Sequence, residues 1–176
     1  MPELSTVVIF ALAVVVFAVV PGPAVFYIVT RSVTQGHRAG VLSATAVGTG
    51  NFVHVVAATV GLSALLASSA LAFSVVKYLG AAYLVYLGVR TILRSGGKGQ
   101  EATPLPRAMG DVFRQGVVVA VLNPKTALFF LAFLPQFVDP ARGSTALQLL
   151  VLGALLVVIT ATTDSCYAVL TGAAGV

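Results

Sequence analysis

Long runs of apolar residues, separated by short polar stretches, dominate the pattern of this chain. About 20 consecutive apolar residues are enough for a helix to cross a bilayer, and five runs reach that length. The pattern therefore predicts an all-α polytopic membrane protein with five transmembrane helices. The predicted spans are Leu4–Thr30, Val41–Leu66, Leu71–Leu93, Gly116–Val138 and Ala146–Thr171.

Two of these runs contain residues that interrupt a helix. Pro21, Gly22 and Pro23 lie well inside the first span, and the segment Asn123–Lys125, with a central proline, lies near the start of the fourth. Proline lacks a backbone donor and clashes with the preceding turn, so each helix should bend or open there. Backbone groups freed at membrane depth need a partner from protein, water or a ligand, because lipid offers none. The breaks are therefore either packing kinks or parts of a binding site.

The two breaks indicate an internal repeat. If each broken helix opens a unit of three helices, the two units have opposite orientations, and paired broken helices in inverted halves are typical of transporter binding sites. Under this hypothesis the single transporter domain, 1–176, divides into a first repeat at about 1–93 and a partial second repeat at about 116–176. A cytoplasmic loop at about 94–115 joins them, and the second repeat lacks its last helix.

The composition agrees with lipid as the solvent of this chain. Hydrophobic residues make up 59% and charged residues 9%, with a mean hydropathy of +1.04, whereas soluble domains carry about a quarter charged residues. The single cysteine, Cys166, excludes a disulfide framework or a paired-cysteine metal site. The sequence has no nucleophile turn, metalloprotease motif or P-loop. We therefore expect neither an enzyme nor an ATP-driven motor, and no cofactor or bound metal.

Basic residues gather on alternate connections between the spans. The net charge of +5 could indicate a nucleic-acid partner, but the lysines and arginines lie mainly in the connections 31–40 and 94–115. Cytoplasmic loops of membrane proteins carry such an excess. The distribution predicts an N-terminus outside the cell, a cytoplasmic C-terminus and no nucleic-acid partner.

Three ionisable side chains lie deep inside the predicted spans: Lys125, Asp164 and His54. A charge at that depth is costly unless it is paired or hydrated, so such residues are functional candidates. Lys125 and Asp164 carry opposite charges at a similar depth. They form either a fixed ion pair or a site for a zwitterion, whose carboxylate would bind Lys125 and whose ammonium would bind Asp164. Asp164 is alternatively the carrier of a coupling proton, because burial favours the protonated form of a carboxylate. His54 is either a neutral hydrogen-bonded histidine or a proton relay.

Other polar and small residues of the spans also have two interpretations. Asn51, Thr160 and Tyr167 could line a path or hold neighbouring helices together. Small residues recur at every fourth position from Gly40 to Gly48, a series that lets helix backbones approach closely. This series predicts either packing within the chain or the face of a homodimer.

Several different short motifs, mostly with glycine or proline, occur along the chain. They are Pro21-Gly22-Pro23, Gly36-His37-Arg38-Ala39-Gly40, Gly48, Gly80-Ala81-Ala82-Tyr83-Leu84 with Leu87-Gly88, Leu122-Asn123-Pro124-Lys125 and Phe133-Leu134-Pro135-Gln136-Phe137. In this order and combination, over roughly residues 1–171, the chain resembles the LysE/RhtB family of amino-acid exporters, which includes lysine exporters and homoserine/threonine exporters.

The resemblance implies a secondary exporter in the plasma membrane, driven by the proton motive force, that moves amino acids or related small metabolites outward. It also implies that the two breaks form the core of the transport site, a role that extends to Asp164. Together with the depth of the ionisable residues in their spans, this makes Asp164 or His54 the expected coupling residue. Members of the family usually continue through a further hydrophobic segment, so we expect a short or truncated member, or a chain that a partner completes. The substrate-binding residues that the resemblance implies are Pro21, Gly22, Pro23, Asn123, Pro124 and Lys125.

Two other functions stay open from the sequence. A metal-cation or other small-solute exporter of the wider superfamily could use Asp164 and His54, although one carboxylate and one histidine make a small ligand set. A membrane scaffold without transport activity would agree with the missing helix. In a scaffold, replacing Lys125 or Asp164 would affect folding or have little effect.

Overall fold

The computed structural model of this chain describes residues 2–69 and 107–174, together with residues 71, 72, 74, 75 and 78. Over these ranges the backbone is helical and forms no strand, which confirms the predicted all-α class. The third predicted span, Leu71–Leu93, and most of the loop at 94–115 lie outside the described residues.

The described part of the chain contains six α-helices. A π-helical turn, Phe129–Phe133, and a 3-10 turn, Leu134–Phe137, continue the fifth of them, and a second 3-10 turn covers Pro140–Arg142. The α-helices are α1 (Leu4–Val19), α2 (Pro23–Gln35), α3 (His37–Ser68), α4 (Met109–Val121), α5 (Pro124–Leu128) and α6 (Thr145–Ala174).

By length and composition, the described helices provide two membrane spans, or four if each bent pair of helices is one span. Within α3 and α6, the stretches His37–Ala64 and Thr145–Ala173 are each long and apolar enough to span a bilayer alone. The pair α1 and α2 qualifies as one span bent by 54°, and α4 with Pro124–Phe137 qualifies as one span bent by 41°. The structure thus confirms a multi-pass membrane protein with breaks at both predicted proline segments.

Two predicted boundaries are wrong. The first connection was expected at 31–40, but α2 continues to Gln35 and α3 begins at His37. Gly36 alone separates them, and its φ of +81° is a left-handed conformation that glycine adopts without steric cost. The fourth span begins at Met109 rather than Gly116. In both places a polar segment marked the expected end of the span, although the helix continues through it.

α3 lies at the centre of the described helices and packs most extensively on α6 and α4. Glycines permit the close contact with α4: a Cβ added at Gly50 would lie 2.5 Å from the Ala120 Cβ, and one at Gly116 would lie 2.6 Å from the Ala46 Cβ. The predicted small-residue series from Gly40 to Gly48 is buried within the chain, against α2 and α6.

Two apolar clusters fill the space between the helices. One contains Phe10 of α1, Phe130 of the π-helical turn and Leu156 of α6. The other contains Ile28 of α2 and Val47 of α3. Along both bent spans, the break lies between residues of one cluster and residues of the other.

Candidate functional site

A small cavity lies where the two broken spans meet. It has a volume of about 30 Å³, and a water molecule needs roughly 10–15 Å³ on the same measure. The cavity therefore accepts a group the size of one or two water molecules, but not a whole metabolite. Its lining residues are Phe17, Ala18, Gly22, Ala24, Val25, Val47, Asn51, Asn123, Lys125, Thr126, Thr160 and Asp164.

Lys125 reaches from the second break to the first. Its Nζ donates hydrogen bonds to the carbonyl oxygens of Phe17, at 2.7 Å, and Val20, at 2.5 Å. The Phe17 carbonyl lies four residues before Pro21, which has no N–H to complete the helical hydrogen bond. The ammonium also lies 4.2 Å from the centre of the Phe17 ring, a distance typical of a cation–π contact. Lys125 thus caps the open C-terminal end of α1, where a cation is favourable.

The carbonyls that receive no helical N–H donor from Pro23 and Pro124 also contact side chains of distant spans. The Tyr167 hydroxyl of α6 donates to the Val19 carbonyl at 3.0 Å, four residues before Pro23. The His54 Nε2 of α3 lies 3.2 Å from the Ala120 carbonyl, four residues before Pro124. Asn123 N–H also donates to that carbonyl, at 3.1 Å. Each break therefore connects one membrane span to another through hydrogen bonds.

Space at the first break is limited by the Lys125 side chain. A Cβ added at Gly22 would lie 3.0 Å from the Lys125 Cδ, closer than most real Cβ contacts. At the second break, the Asn123 side chain accepts a hydrogen bond from the Lys125 N–H at 3.1 Å and so caps the start of α5. Gly22 thus leaves space for the Lys125 side chain, and Asn123 fixes the backbone from which that side chain extends.

Asp164 lies in the same cavity, on α6, and is 6% exposed. Within the described residues it forms no salt bridge with Lys125, although the two opposite charges attract each other across the cavity. The fixed ion pair between these residues is therefore a wrong interpretation, since the Lys125 ammonium is held by backbone carbonyls instead.

The structure brings together only part of the predicted set. Gly22, Asn123, Lys125 and Asp164 line the cavity, whereas the three prolines of the set shape the breaks. His54 is not among the lining residues, and its ring stacks on Phe130 with 5.7 Å between the ring centres.

The sequence did not single out Phe17 or Thr126, which also line the cavity. The position of Phe17, four residues before a proline, is a signal that could have identified its carbonyl as a group in need of a donor. In the part of the chain that the structure describes, no group of three or more histidine, cysteine or acidic side chains could hold a metal ion.

Comparison with known proteins gives two kinds of relative. The chain is 33% identical over 150 residues to a homoserine/homoserine lactone efflux protein of Salmonella typhimurium strain LT2, and this alignment covers 85% of this chain and 72% of the relative. It is 29% identical over 151 residues to a leucine efflux protein of Salmonella choleraesuis strain SC-B67, and this alignment covers 85% of this chain and 71% of the relative. No solved structure matches the chain significantly.

The family model for LysE type translocators matches residues 15–175. This match covers nearly the whole chain, including both breaks and the cavity between them. The chain therefore belongs to the LysE family of translocators, which confirms the family resemblance of its motifs and makes the protein a transporter rather than an enzyme.

Proposed function

We propose that this chain exports amino acids or closely related small metabolites across the plasma membrane, in exchange for protons. The observation that carries the proposal is the cavity between the two broken spans, in which Lys125 and Asp164 present opposite charges without a salt bridge between them. An α-amino acid carries the same two charges on neighbouring groups.

The carboxylate of the substrate would bind at Lys125. It would also lie close to the first turn of α2, which no side chain caps and whose residues Ala24 and Val25 line the cavity. Free N–H groups at the start of a helix attract anions. The predicted substrate-binding residues Pro21, Gly22 and Pro23 contribute by opening the helix there, and Asn123 and Pro124 contribute by holding Lys125.

The ammonium of the substrate would bind at Asp164. The names of the two relatives support an amine as the recognised group, because homoserine, homoserine lactone and leucine share the α-amine. The lactone has no free carboxylate, so an anion subsite alone would not explain all three. We therefore assign recognition of the amine to Asp164 and a supplementary role to Lys125.

Transport requires the cavity to open, because about 30 Å³ is far below the several hundred Å³ of ordinary ligand pockets. When the carboxylate of a substrate binds to Lys125, the Lys125 ammonium group can leave the Phe17 and Val20 carbonyls. Those hydrogen bonds join α1 to the fourth span, so their loss would allow the two bent spans to separate. Substrate binding and helix movement would then be coupled through one side chain.

Proton coupling is assigned to Asp164, since a proton and an ammonium group compete for the same carboxylate. After the substrate is released on one side of the membrane, protonation would neutralise the Asp164 carboxylate. The empty site could then return to the other side without the cost of a buried negative charge. His54, the second predicted coupling residue, contacts the Ala120 carbonyl and stays a prediction in that role.

The predicted orientation, with the N-terminus outside, agrees with the distribution of charge. Arg31 donates to the Gln115 side chain, and Gln35 donates to the Arg107 carbonyl, so the basic ends of α2 and α4 lie together. The opposite end carries a salt bridge between Arg142 and Glu3. Basic residues favour the cytoplasmic side.

A homodimer stays a prediction as well. The small-residue face from Gly40 to Gly48 is buried within one chain, so any contact between copies must use another surface. Cross-linking through the exposed Cys166 in native membranes would test for such a contact.

The proposal is tested by efflux of radiolabelled homoserine, homoserine lactone and leucine from preloaded cells, with variants compared at equal abundance in the membrane. We expect Asp164→Asn to reduce efflux of all three, and Lys125→Ala to reduce efflux of the two free amino acids more than that of the lactone. The expected loss is roughly 10-fold or more, since a hydrogen bond to a charged group contributes about 1.5–3 kcal/mol. Asp111→Asn, which removes an acidic group of α4 outside the cavity, is the matched control.

A protonophore should abolish the efflux that depends on the unaltered chain. Efflux that survives both cavity substitutions would remove Lys125 and Asp164 from the site while leaving the exporter in place. No efflux of any of the three compounds from correctly inserted protein would contradict the proposed function itself.

A further inference from the structure

Asn51 carries a buried polar atom without a hydrogen-bond partner. Its side chain lies on α3, lines the cavity and is 4% exposed, and its Oδ1 accepts no hydrogen bond. Burying an amide oxygen without a donor costs free energy, so most buried polar atoms in native proteins are paired. An unpaired acceptor that lines a cavity large enough for one small polar group therefore points to a donor that a bound ligand supplies.

The packing of α3 on α6 places Asn51 near the acceptors of α6. A Cβ added at Gly48 would lie 3.8 Å from the Ala161 Cβ, and one at Gly153 would lie 2.7 Å from Val55. Asn51 lies between the two contact positions of α3, and the cavity residue Thr160 lies between the two contact positions of α6. Asp164 follows Thr160 by four residues, about 6 Å along the same face of α6.

Thr160 offers a second neutral acceptor. Its hydroxyl donates within α6, to the Leu156 carbonyl at 3.0 Å and the Val157 carbonyl at 3.2 Å. A hydroxyl oxygen that donates its hydrogen still has lone pairs to accept with. The cavity is thus lined by residues with a carboxylate, an amide oxygen and a hydroxyl oxygen, all with acceptor capacity.

We propose that Asn51 binds the ammonium group of the exported substrate, together with Asp164 and Thr160. This assignment rests on the proposed function, which it extends from one carboxylate to a subsite with three acceptors. An ammonium group has three donors and no acceptor, so the three oxygens match it in number and in kind. It is also about the size of a water molecule, which the cavity of about 30 Å³ accommodates in its closed form.

The subsite has a consequence for specificity. A compound without the amine would leave three buried acceptors unpaired, and a site built to bind a polar group rejects analogues that lack it. Discrimination by Asn51 therefore concerns the amine of the substrate and not its side chain. Leucine and its 2-oxo analogue, 4-methyl-2-oxopentanoate, differ in this group and share the same side chain.

The test is equilibrium binding of radiolabelled leucine, homoserine and 4-methyl-2-oxopentanoate to the full chain in lipid nanodiscs. We expect Asn51→Leu to raise the Kd of leucine roughly 10-fold or more, the range for losing a hydrogen bond to a charged group. The Kd of the 2-oxo acid should change little, because it offers no donor to Asn51. Asn51→Asp keeps an acceptor of the same shape and should keep the Kd of leucine close to that of the unaltered chain.

Ser63→Ala is the matched control. Ser63 also lies on α3 and also has a buried oxygen without a partner, but it is not among the residues that line the cavity. Its substitution should leave both Kd values unchanged.

An unchanged leucine Kd in Asn51→Leu, or an equal loss for both compounds, would overturn the Asn51 assignment and leave the exporter proposal intact. A leucine Kd that depends on sodium, and loses this dependence in Asn51→Leu, would replace the ammonium by a sodium ion and overturn the assignment too. Absence of leucine and homoserine binding to the unaltered chain would overturn both proposals together.

Discussion

Gly22→Ala should destabilise the protein through Lys125 and not through the backbone. Gly22 has φ −135° and ψ −175°, an extended conformation that any residue adopts. An added Cβ would lie 3.0 Å from the Lys125 Cδ and 3.8 Å from its Nζ. The side chain must then move by a few tenths of an ångström away from the carbonyls that it binds.

The size of the effect follows from those two hydrogen bonds, to the carbonyl oxygens of Phe17 and Val20. A hydrogen bond between membrane helices contributes about 0.6 kcal/mol on average and about 1.7 kcal/mol at most. Complete loss of both would cost roughly 1–3 kcal/mol, so weakening them predicts a smaller loss in the free energy of unfolding, of up to about 1 kcal/mol.

A double-mutant cycle measures this coupling. In a Lys125→Ala background the Cδ is absent, so the same Gly22→Ala change should cost close to nothing. The free energy of unfolding of all four proteins would be measured by denaturant titration in mixed micelles. Gly61→Ala is the control, because a Cβ at this helical position meets no atom within 4 Å. An equal cost of Gly22→Ala in both backgrounds would refute the reasoning.

Three further changes test the contacts around the breaks, each by the free energy of unfolding. Tyr167→Phe removes the donor to the Val19 carbonyl and should cost about 0.6–1.7 kcal/mol; an unchanged stability would show that another group satisfies this carbonyl. His54→Phe keeps an aromatic ring but loses the bond to the Ala120 carbonyl, with a cost in the same range; proton-coupled efflux should persist, and its loss would make His54 the relay. Gly50→Ala should cost roughly 1–3 kcal/mol by overpacking α3 against α4, and a cost no larger than that of Gly61→Ala would contradict the close contact.

Much of the architecture was predictable because it depends on local chemistry. Long apolar runs need lipid, and a proline removes a hydrogen bond wherever it occurs, so the all-α class, four of the spans and both breaks follow from composition and position. The boundaries at Arg31 and Gly116 were wrong, since a polar segment was taken as the end of a helix. Arg31 lies within α2, where it is buried and hydrogen-bonded to Gln35 and Gln115.

The partners of the opened backbone groups depend on tertiary structure. The sequence by itself determined that the Phe17 and Val19 carbonyls lose their helical donors, because each lies four residues before a proline. It did not determine which side chains replace those donors, and Lys125 and Tyr167 lie more than 100 residues away along the chain. Opposite charge and similar depth left both an ion pair and a zwitterion site open for Lys125 and Asp164, whereas packing gave the lysine two carbonyl partners and, among the described residues, no salt bridge to the aspartate.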